Sequence, residues 1–134
     1  DKKYGTSLSK KYSFEDLKLG VELTLRSEFE DKLNYGMEFN FHFAHPRKVL
    51  LNGKTIEDGA VLRDIDTITL EDDFTQKTLK ISSNKNFTLY AYILNTVSQN
   101  ENGFELVAQQ ISLLSCFEFS SYLDLNLSLE VCNV

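Results

Sequence analysis

The chain has 134 residues, of which 42% are hydrophobic and 25% are charged, and its formal net charge is -6. This length fits one domain with a sizeable core, and the composition excludes wholesale disorder. The acidic balance argues against a general nucleic-acid binder and against electrostatic docking on anionic lipid, because both need clustered Lys and Arg.

The N-terminal part is polar and predicts little structure. Residues 1–12 are Lys- and Ser-rich and predict a flexible tether, followed by a single domain over residues 13–134. Residues 13–18 fit either one capped helical turn or an extended lead-in to a strand. A strand is predicted over residues 19–27, where Leu and Val alternate with Glu, Thr and Arg.

The middle of the chain alternates strand and turn signals. A Phe-rich strand over residues 37–44 ends at His45-Pro46, because proline removes a ladder donor. Residues 49–51 form a short strand before Asn52-Gly53, a strong tight-turn signal, and residues 55–66 are predicted to be irregular or a short helical turn. Further strands are predicted at 67–70, 77–82, 87–97 and 104–119, with turns or loops at 71–73, 83–86 and 98–103.

The clearest strand signal lies at residues 122–132. Every second position there is aliphatic: Leu123, Leu125, Leu127, Leu129 and Val131. Side chains of a strand alternate between two faces, so this segment has one apolar and one polar face. About eight such segments predict an all-β protein, an antiparallel two-sheet immunoglobulin-like β-sandwich of about seven to nine strands. One sheet closed into a barrel is the alternative architecture.

Few residue patterns indicate chemistry. His42 and His45 are the only histidines, and they fall on opposite parities of an extended segment, which is poor geometry for a shared metal ion. The spacing of the central carboxylates does not match an EF-hand loop and is more typical of solvated turns than of a calcium site. These carboxylates are Glu57, Asp58, Asp64, Asp66, Glu71, Asp72 and Asp73. No nucleophile or nucleotide-binding motif is present, so we expect no catalytic residue, no metal ligand, no cofactor and no enzymatic activity.

The sequence does not decide the redox state of its two cysteines. Cys116 and Cys132 both occupy the polar parity of their strands. They are compatible with one disulfide bond or with two free thiols. The sequence therefore does not indicate a compartment through its cysteines.

Exposed aromatic residues are the main candidate for binding. Tyr90, Tyr92 and Leu94 lie on the polar parity of their strand, and Leu114 lies on the polar parity of the next. If the two strands are neighbours, one outer face carries a Tyr/Leu patch, and Tyr is favoured at protein interfaces. The patch predicts an interaction surface for a protein partner; a face covered by the N-terminal segment would give the same pattern.

Two resemblances add expectations about function. Val49-Leu50-Leu51-Asn52-Gly53-Lys54 resembles a hairpin of S4-type RNA-binding domains, although the basic helix of such domains is absent, and no nucleic-acid partner is expected. The polar leader 1–11, the segment Phe14-Glu15-Asp16-Leu17-Lys18-Leu19-Gly20 and the closing strands 104–132 resemble small Gram-negative bacterial lipoproteins with a variant immunoglobulin-like sandwich.

The second resemblance implies a non-enzymatic domain that mediates protein–protein interaction. It also implies a location in the periplasm or at the outer-membrane surface, held by a lipid anchor upstream of Asp1. The alternative is a carrier that holds a small apolar ligand in a barrel-like cavity, as the Phe-rich strand at residues 37–43 would allow.

Overall fold

A computed structural model describes residues 3–57 and 59–134, and strands account for most of these residues. The described residues contain no α-helix, and none of their helical segments could cross a membrane. One 3-10 turn spans Pro46–Lys48. The strands are β1 (Thr6–Glu15), β2 (Lys18–Ser27), β3 (Lys32–His42), β4 (Leu50–Leu51), β5 (Lys54–Thr55), β6 (Ala60–Asp72), β7 (Lys77–Asn100), β8 (Gly103–Ser120) and β9 (Tyr122–Asn133).

The strands form one antiparallel sheet that folds over into two layers. Across the first layer, the order of hydrogen-bonded neighbours is β1, β2, β9, the first part of β7, the last part of β6, β4 and β5. In the second layer, β3 and β8 are followed by the later part of β7 and the first part of β6. The long strands β6 and β7 therefore belong to both layers.

β7 crosses from one layer to the other, and it pairs with a different strand in each layer. Residues 77–83 pair with β9, whereas residues 88–100 pair with β8. Between them, the Asn84 side chain takes the place of a ladder bond: its Oδ1 accepts the Asn126 N–H at 2.7 Å, and its Nδ2 donates to the Asp124 carbonyl at 3.3 Å. The β6 register shifts between Leu62 and Thr67, opposite this bend, as expected for strands that bulge where a sheet turns.

The core lies between the two layers and comes from the apolar parity of each strand. Phe117 of β8 and Phe87 of β7 pack with ring centroids 5.2 Å apart, and both are almost fully buried. In β9 the alternation is complete, because Leu123, Leu125 and Leu127 are buried while the residues between them stay exposed or half-buried. The all-β antiparallel sandwich predicted from sequence is confirmed, with nine strands.

Residues 6–12 correct the predicted boundary between tether and domain. They are part of β1, which pairs continuously with β2 from Thr6 opposite Ser27 to Glu15 opposite Lys18. Every side chain of β1 is exposed, so this edge strand is held by its backbone ladder and carries little apolar signal in its sequence. Asp1 and Lys2, also assigned to the tether, lie outside the described residues.

Three connections predicted from polar composition are wholly or partly strand. β6 begins at Ala60 within the stretch predicted to be irregular, and β7 runs unbroken through residues 83–86 and on to Asn100. Only Glu101 and Asn102 separate β7 from β8. The turn after β6 falls at residues 73–76 rather than 71–73. Residues 13–18 form neither a helical turn nor a continuous strand, because β1 turns into β2 at Asp16, whose φ is +49°.

The cysteines are both free thiols, which decides between the two states left open by the sequence. Cys116 lies in β8 opposite Thr88, and Cys132 lies in β9 opposite Thr78. Their strands diverge into different layers, so the polar parity that they share in sequence does not bring them together.

We predict that Phe117→Ala will lower the free energy of unfolding by about 3–5 kcal/mol, because it leaves a cavity in the core between the layers. Phe104→Ala is the matched control: Phe104 is 75% exposed, and its loss should change stability by less than about 0.5 kcal/mol. Urea denaturation of both variants measures the difference. Equal destabilisation by the two substitutions would contradict the assignment of the core.

Candidate functional surfaces

The Tyr/Leu patch predicted from sequence forms one continuous outer face of the second layer. Tyr90 is directly opposite Leu114, while Tyr92 and Leu94 follow along the same strand opposite Ser112 and Gln110. Tyr90 and Tyr92 are each 38% exposed, and the two leucines are half-buried. The structure thus brings the four predicted residues together, and their role as an interaction surface stays a prediction.

A carboxylate completes this outer face. Glu38 of β3 lies opposite Leu114, and its Oε1 accepts a hydrogen bond from Ser112 Oγ at 2.8 Å. The Tyr92 hydroxyl lies 3.5 Å from the same oxygen. Ser112 is fully buried although it points away from the core, so Glu38 covers it. The face is therefore a polar and aromatic platform rather than an apolar one.

The tip of the β7–β8 hairpin carries a cluster of exposed apolar side chains. Val97 lies directly opposite Leu106, and Phe104 lies two residues further along β8 on the same face. These three side chains are 67%, 71% and 75% exposed. We call this surface the hairpin face. Contiguous exposed apolar groups of this size are uncommon on a free surface and indicate a contact with another protein surface.

A cleft opens between the two layers at the end of the sandwich where β3 ends. We call it the mouth cleft; its volume is about 230 Å³. Phe41, His42 and Phe43 line it from the second layer. The first layer contributes Leu70, Asp72, Thr75, Lys77, Leu79 and Val131.

A second cavity of about 280 Å³ shares Asp72 with the mouth cleft and is also lined by His45, Lys48, Asp73 and Phe74. The rings of His45 and Phe74 meet edge to face with their centroids 5.1 Å apart. Phe74 lies in the β6–β7 turn and is 66% exposed. The two cavities together form an aromatic groove around one carboxylate.

Asp72 is the central polar group of this groove and is only 5% exposed. Its Oδ2 accepts a hydrogen bond from Thr75 Oγ1 at 2.7 Å, and its Oδ1 accepts one from the Phe74 N–H at 3.3 Å. These bonds shape the turn that presents Phe74. Sequence reasoning assigned Asp72 to a solvated turn; its burial depends on the packing of β3 and β9 around that turn, which local sequence does not show.

The opposite end of the sandwich, where β8 continues into β9, carries a more polar groove of about 350 Å³. Lys85, Glu118, Tyr122 and Asp124 are among its lining residues, and the Arg26 guanidinium lies 4.9 Å from the Tyr122 ring centroid. Lys32 pairs with Glu118 at 3.2 Å on its rim, where both side chains are well exposed. Such exposed charge contacts contribute little to stability.

Some of the histidines and carboxylates singled out in the sequence meet at the two cavities around Asp72 but, within the part of the chain that the structure describes, not in the geometry of a metal site. Among residues 3–57 and 59–134, no three His, Cys, Asp or Glu side chains are placed to hold a metal ion. His42 lines the mouth cleft and His45 packs on Phe74. Asp64 accepts a hydrogen bond from Asn86 Nδ2 at 2.9 Å. Asp58 lies outside the described residues.

Lys10 is a titratable residue at the open edge between the two layers. Hydrogen bonding to Tyr35 of β3 raises the pKa of Lys10 of β1 above its ordinary value of 10.5. A raised pKa means that the interaction favours the folded state while Lys10 is protonated, and this contribution is lost as pH rises through the folded-state pKa. The two edge strands are thus linked across the side of the sandwich.

The fold and these surfaces define a β-sandwich domain with an apolar hairpin and an aromatic groove at one end. Residues 2–131 match the family model described as the C-terminal domain of alpha-amylase and 4-alpha-glucanotransferase, and the chain belongs to this family. Among curated proteins, none matches the chain.

Two solved structures share the fold. The 4-alpha-glucanotransferase from Thermococcus litoralis is 17% identical with a TM-score of 0.78, and the match covers 97% of this chain and 19% of that one. The Slr1438 protein from Synechocystis sp. PCC 6803 is 10% identical with a TM-score of 0.61, covering 98% and 56%. The chain therefore spans about a fifth of the first protein and just over half of the second.

The family match corrects the functional reading of the sequence. The resemblance to a bacterial lipoprotein is wrong, and so is the function inferred from it, because the domain belongs to a family of enzyme C-terminal domains. The sequence predicted no enzymatic activity; the family is one of C-terminal domains of enzymes, and the absence of catalysis by this chain itself stays a prediction. That resemblance rested on strand alternation and a polar leader, which many β-sandwiches share. A periplasmic or outer-membrane location and an anchor upstream of Asp1 stay predictions.

We predict that Tyr35→Phe will lower the pKa of Lys10 toward 10.5, because the hydroxyl that accepts its hydrogen bond is removed. An NMR titration of the Lys10 side chain measures the change. Tyr12→Phe serves as the control, since Tyr12 contributes least to the shift. An unchanged Lys10 pKa in Tyr35→Phe would show that the two edge strands are not linked in this way.

Proposed function

We propose that this chain is a non-catalytic domain of an enzyme that acts on α-1,4-linked glucans. The family match over residues 2–131 carries the proposal, since the family is named for α-amylase and 4-α-glucanotransferase. The fold shared with the T. litoralis 4-α-glucanotransferase supports it, although at 17% identity that likeness concerns the fold. The substrate class comes from the names of these relatives.

The reaction itself is assigned to another part of such an enzyme. Glycoside chemistry in most families uses two carboxyl groups that flank one bond, with environments that separate their pKa values. The buried carboxylate among the described residues is that of Asp72, and two hydrogen bonds from its own turn already engage it. Most of the T. litoralis protein also lies outside the matched region.

The partner expected from sequence is, in this proposal, the catalytic part of the same enzyme. The hairpin face supports this, because Val97, Phe104 and Leu106 expose more than two thirds of their side chains on one projecting ribbon. Apolar side chains clustered in this way contribute most when they enter the desolvated centre of an interface. We therefore assign docking on the catalytic part to the hairpin face.

The activity can be tested with the natural polypeptide that carries this chain. Incubated with maltoheptaose, it should yield shorter or longer α-1,4-glucans that chromatography resolves. The 134-residue chain alone should yield no product under the same conditions. Turnover by the chain alone, or inertness of the natural polypeptide toward every α-1,4-glucan tested, would refute the proposed function.

The docking role predicts a long-range effect of Phe104→Asp combined with Leu106→Asp. In the natural polypeptide, we expect this double variant to separate the unfolding of the β-sandwich from that of the catalytic part, because two charges would be buried without partners. Differential scanning calorimetry should then show two transitions in place of one coupled transition.

The control for docking is Leu17→Asp, in the β1–β2 turn, where Leu17 is 65% exposed. This variant should leave the coupled transition unchanged. In the chain alone, the double variant should change stability by less than about 0.5 kcal/mol, because both side chains are already in solvent. Coupled unfolding that survives the double variant would place the interface elsewhere.

A further inference from the structure

We infer that the mouth cleft and the adjoining cavity at Phe74 bind an α-1,4-glucan chain on this domain. The inference rests on the proposed function for the choice of glucan, and on the geometry of the groove for the site. Both cavities open at the same end of the sandwich and meet at Asp72. Their volumes are about 230 and 280 Å³, and the two together fall within the range of pockets that hold small ligands.

Aromatic rings supply the apolar walls of this groove. Phe41 and Phe43, at the end of β3, stand against Leu79 and Val131 of the other layer. Phe74 extends the aromatic lining beyond Asp72 into the second cavity. A glucose unit has an apolar C–H face bordered by hydroxyl groups, so flat rings beside polar groups offer it contact area without displacing its hydrogen bonds.

Asp72 and the surrounding charges supply the polar contacts. A carboxylate offers about four lone-pair sites, and Asp72 uses two of them within its turn, which leaves acceptor capacity toward the groove. Hydroxyl groups that donate to an ionised carboxylate form short, strong hydrogen bonds. Lys77 in the mouth cleft and Lys48 in the adjoining cavity can donate to the sugar oxygens.

The balance of charge favours an uncharged, hydroxyl-rich ligand. The groove is lined by two carboxylates, Asp72 and Asp73, and by two lysines, Lys48 and Lys77, the second of which also donates to Asn133 Oδ1, so the charges of the lining give no strong preference for anions or cations. A wholly apolar ligand would leave these groups desolvated without partners, which is costly. The small apolar cargo expected for a carrier therefore fits this groove poorly, whereas a sugar satisfies both kinds of lining.

Binding of maltoheptaose to the 134-residue chain tests the inference. Isothermal titration calorimetry should give a saturable isotherm with a dissociation constant below about 1 mM. NMR amide shifts on titration should concentrate at residues 41–45 and 72–77. Cellohexaose, which has β-1,4 linkages, should bind more weakly, because its extended chain presents successive rings in a different relative orientation from those of an α-1,4-glucan.

Phe74→Ala should weaken maltoheptaose binding about tenfold without loss of folding, since this ring is exposed and outside the core. Tyr92→Ala is the matched control: it removes an exposed ring from the outer Tyr/Leu face and should leave binding unchanged. Asp72→Asn should also weaken binding, since it removes the ionised acceptor but keeps the shape of the side chain.

The outcomes separate this inference from the proposed function. Absence of maltoheptaose binding, or binding lost in Tyr92→Ala and retained in Phe74→Ala, overturns the glucan site. If the glucan site is overturned in this way but the natural polypeptide still converts maltoheptaose, the proposed function stands without the glucan site. Saturable binding that maps to residues 41–45 and 72–77 supports the site, whatever part of the enzyme performs the reaction.

Discussion

The structure depends on one constraint, the passage of β6 and β7 from one layer of the sandwich to the other. β7 is 24 residues long and exchanges β9 for β8 as its neighbour within a few residues. At that point the Asn84 side chain supplies the hydrogen bonds that a regular ladder would otherwise lose. Because the backbone groups stay paired, the sheet can fold over without exposing an unsatisfied edge to the core.

This crossing makes the two ends of the sandwich different. At one end of the sandwich, β8 of the second layer continues into β9 of the first layer through a single residue, Ser121, whose φ is +61°. This short turn keeps the two layers close together at that end. At the other end, where residues 43–49 connect β3 of the second layer to β4 of the first, Phe41 and Phe43 face Leu79 and Val131 across a cleft. The same geometry lets the β7–β8 hairpin project beyond its neighbours and exposes Val97, Phe104 and Leu106. Both candidate functional surfaces at this end are consequences of where β7 crosses.

The two surfaces have different chemistry, and this difference supports different roles. The hairpin face is apolar and lies on a ribbon, which suits a docking contact that excludes water. The mouth cleft is concave and mixes rings with a buried carboxylate, which suits a small polar ligand. Under the proposed function, a domain attached to an enzyme of α-1,4-glucans can use both, one to hold the domain in place and the other to hold substrate close to it. Tyr90 and Tyr92 remain a third, flatter surface, on which Glu38 is already engaged by Ser112.

Period-two alternation in the sequence determined the fold class and the main core strands. This alternation is a local property of the sequence, because a strand with one buried face must place its apolar side chains at every second position, as Leu123, Leu125 and Leu127 do. The strands that carry Tyr90 and Leu114 were predicted in the same way, but that they are neighbours was only a condition in the sequence, and the structure pairs the two residues directly. Polar segments such as residues 6–12 and 83–86 were misread, because a backbone ladder holds the first and the Asn84 side chain holds the second, so apolar alternation carries no signal in either.

Only the tertiary structure decided which residues could form a site. Phe41 and Asp72 are 31 positions apart and become neighbours because the layers close over each other. The burial of Asp72, in a run of acidic residues that resembles a solvated turn, likewise depends on what packs around that turn. Alternation specifies which face of each strand is apolar, but it is the long-range pairing of β3, β7 and β9 that sets which faces meet and which remain open.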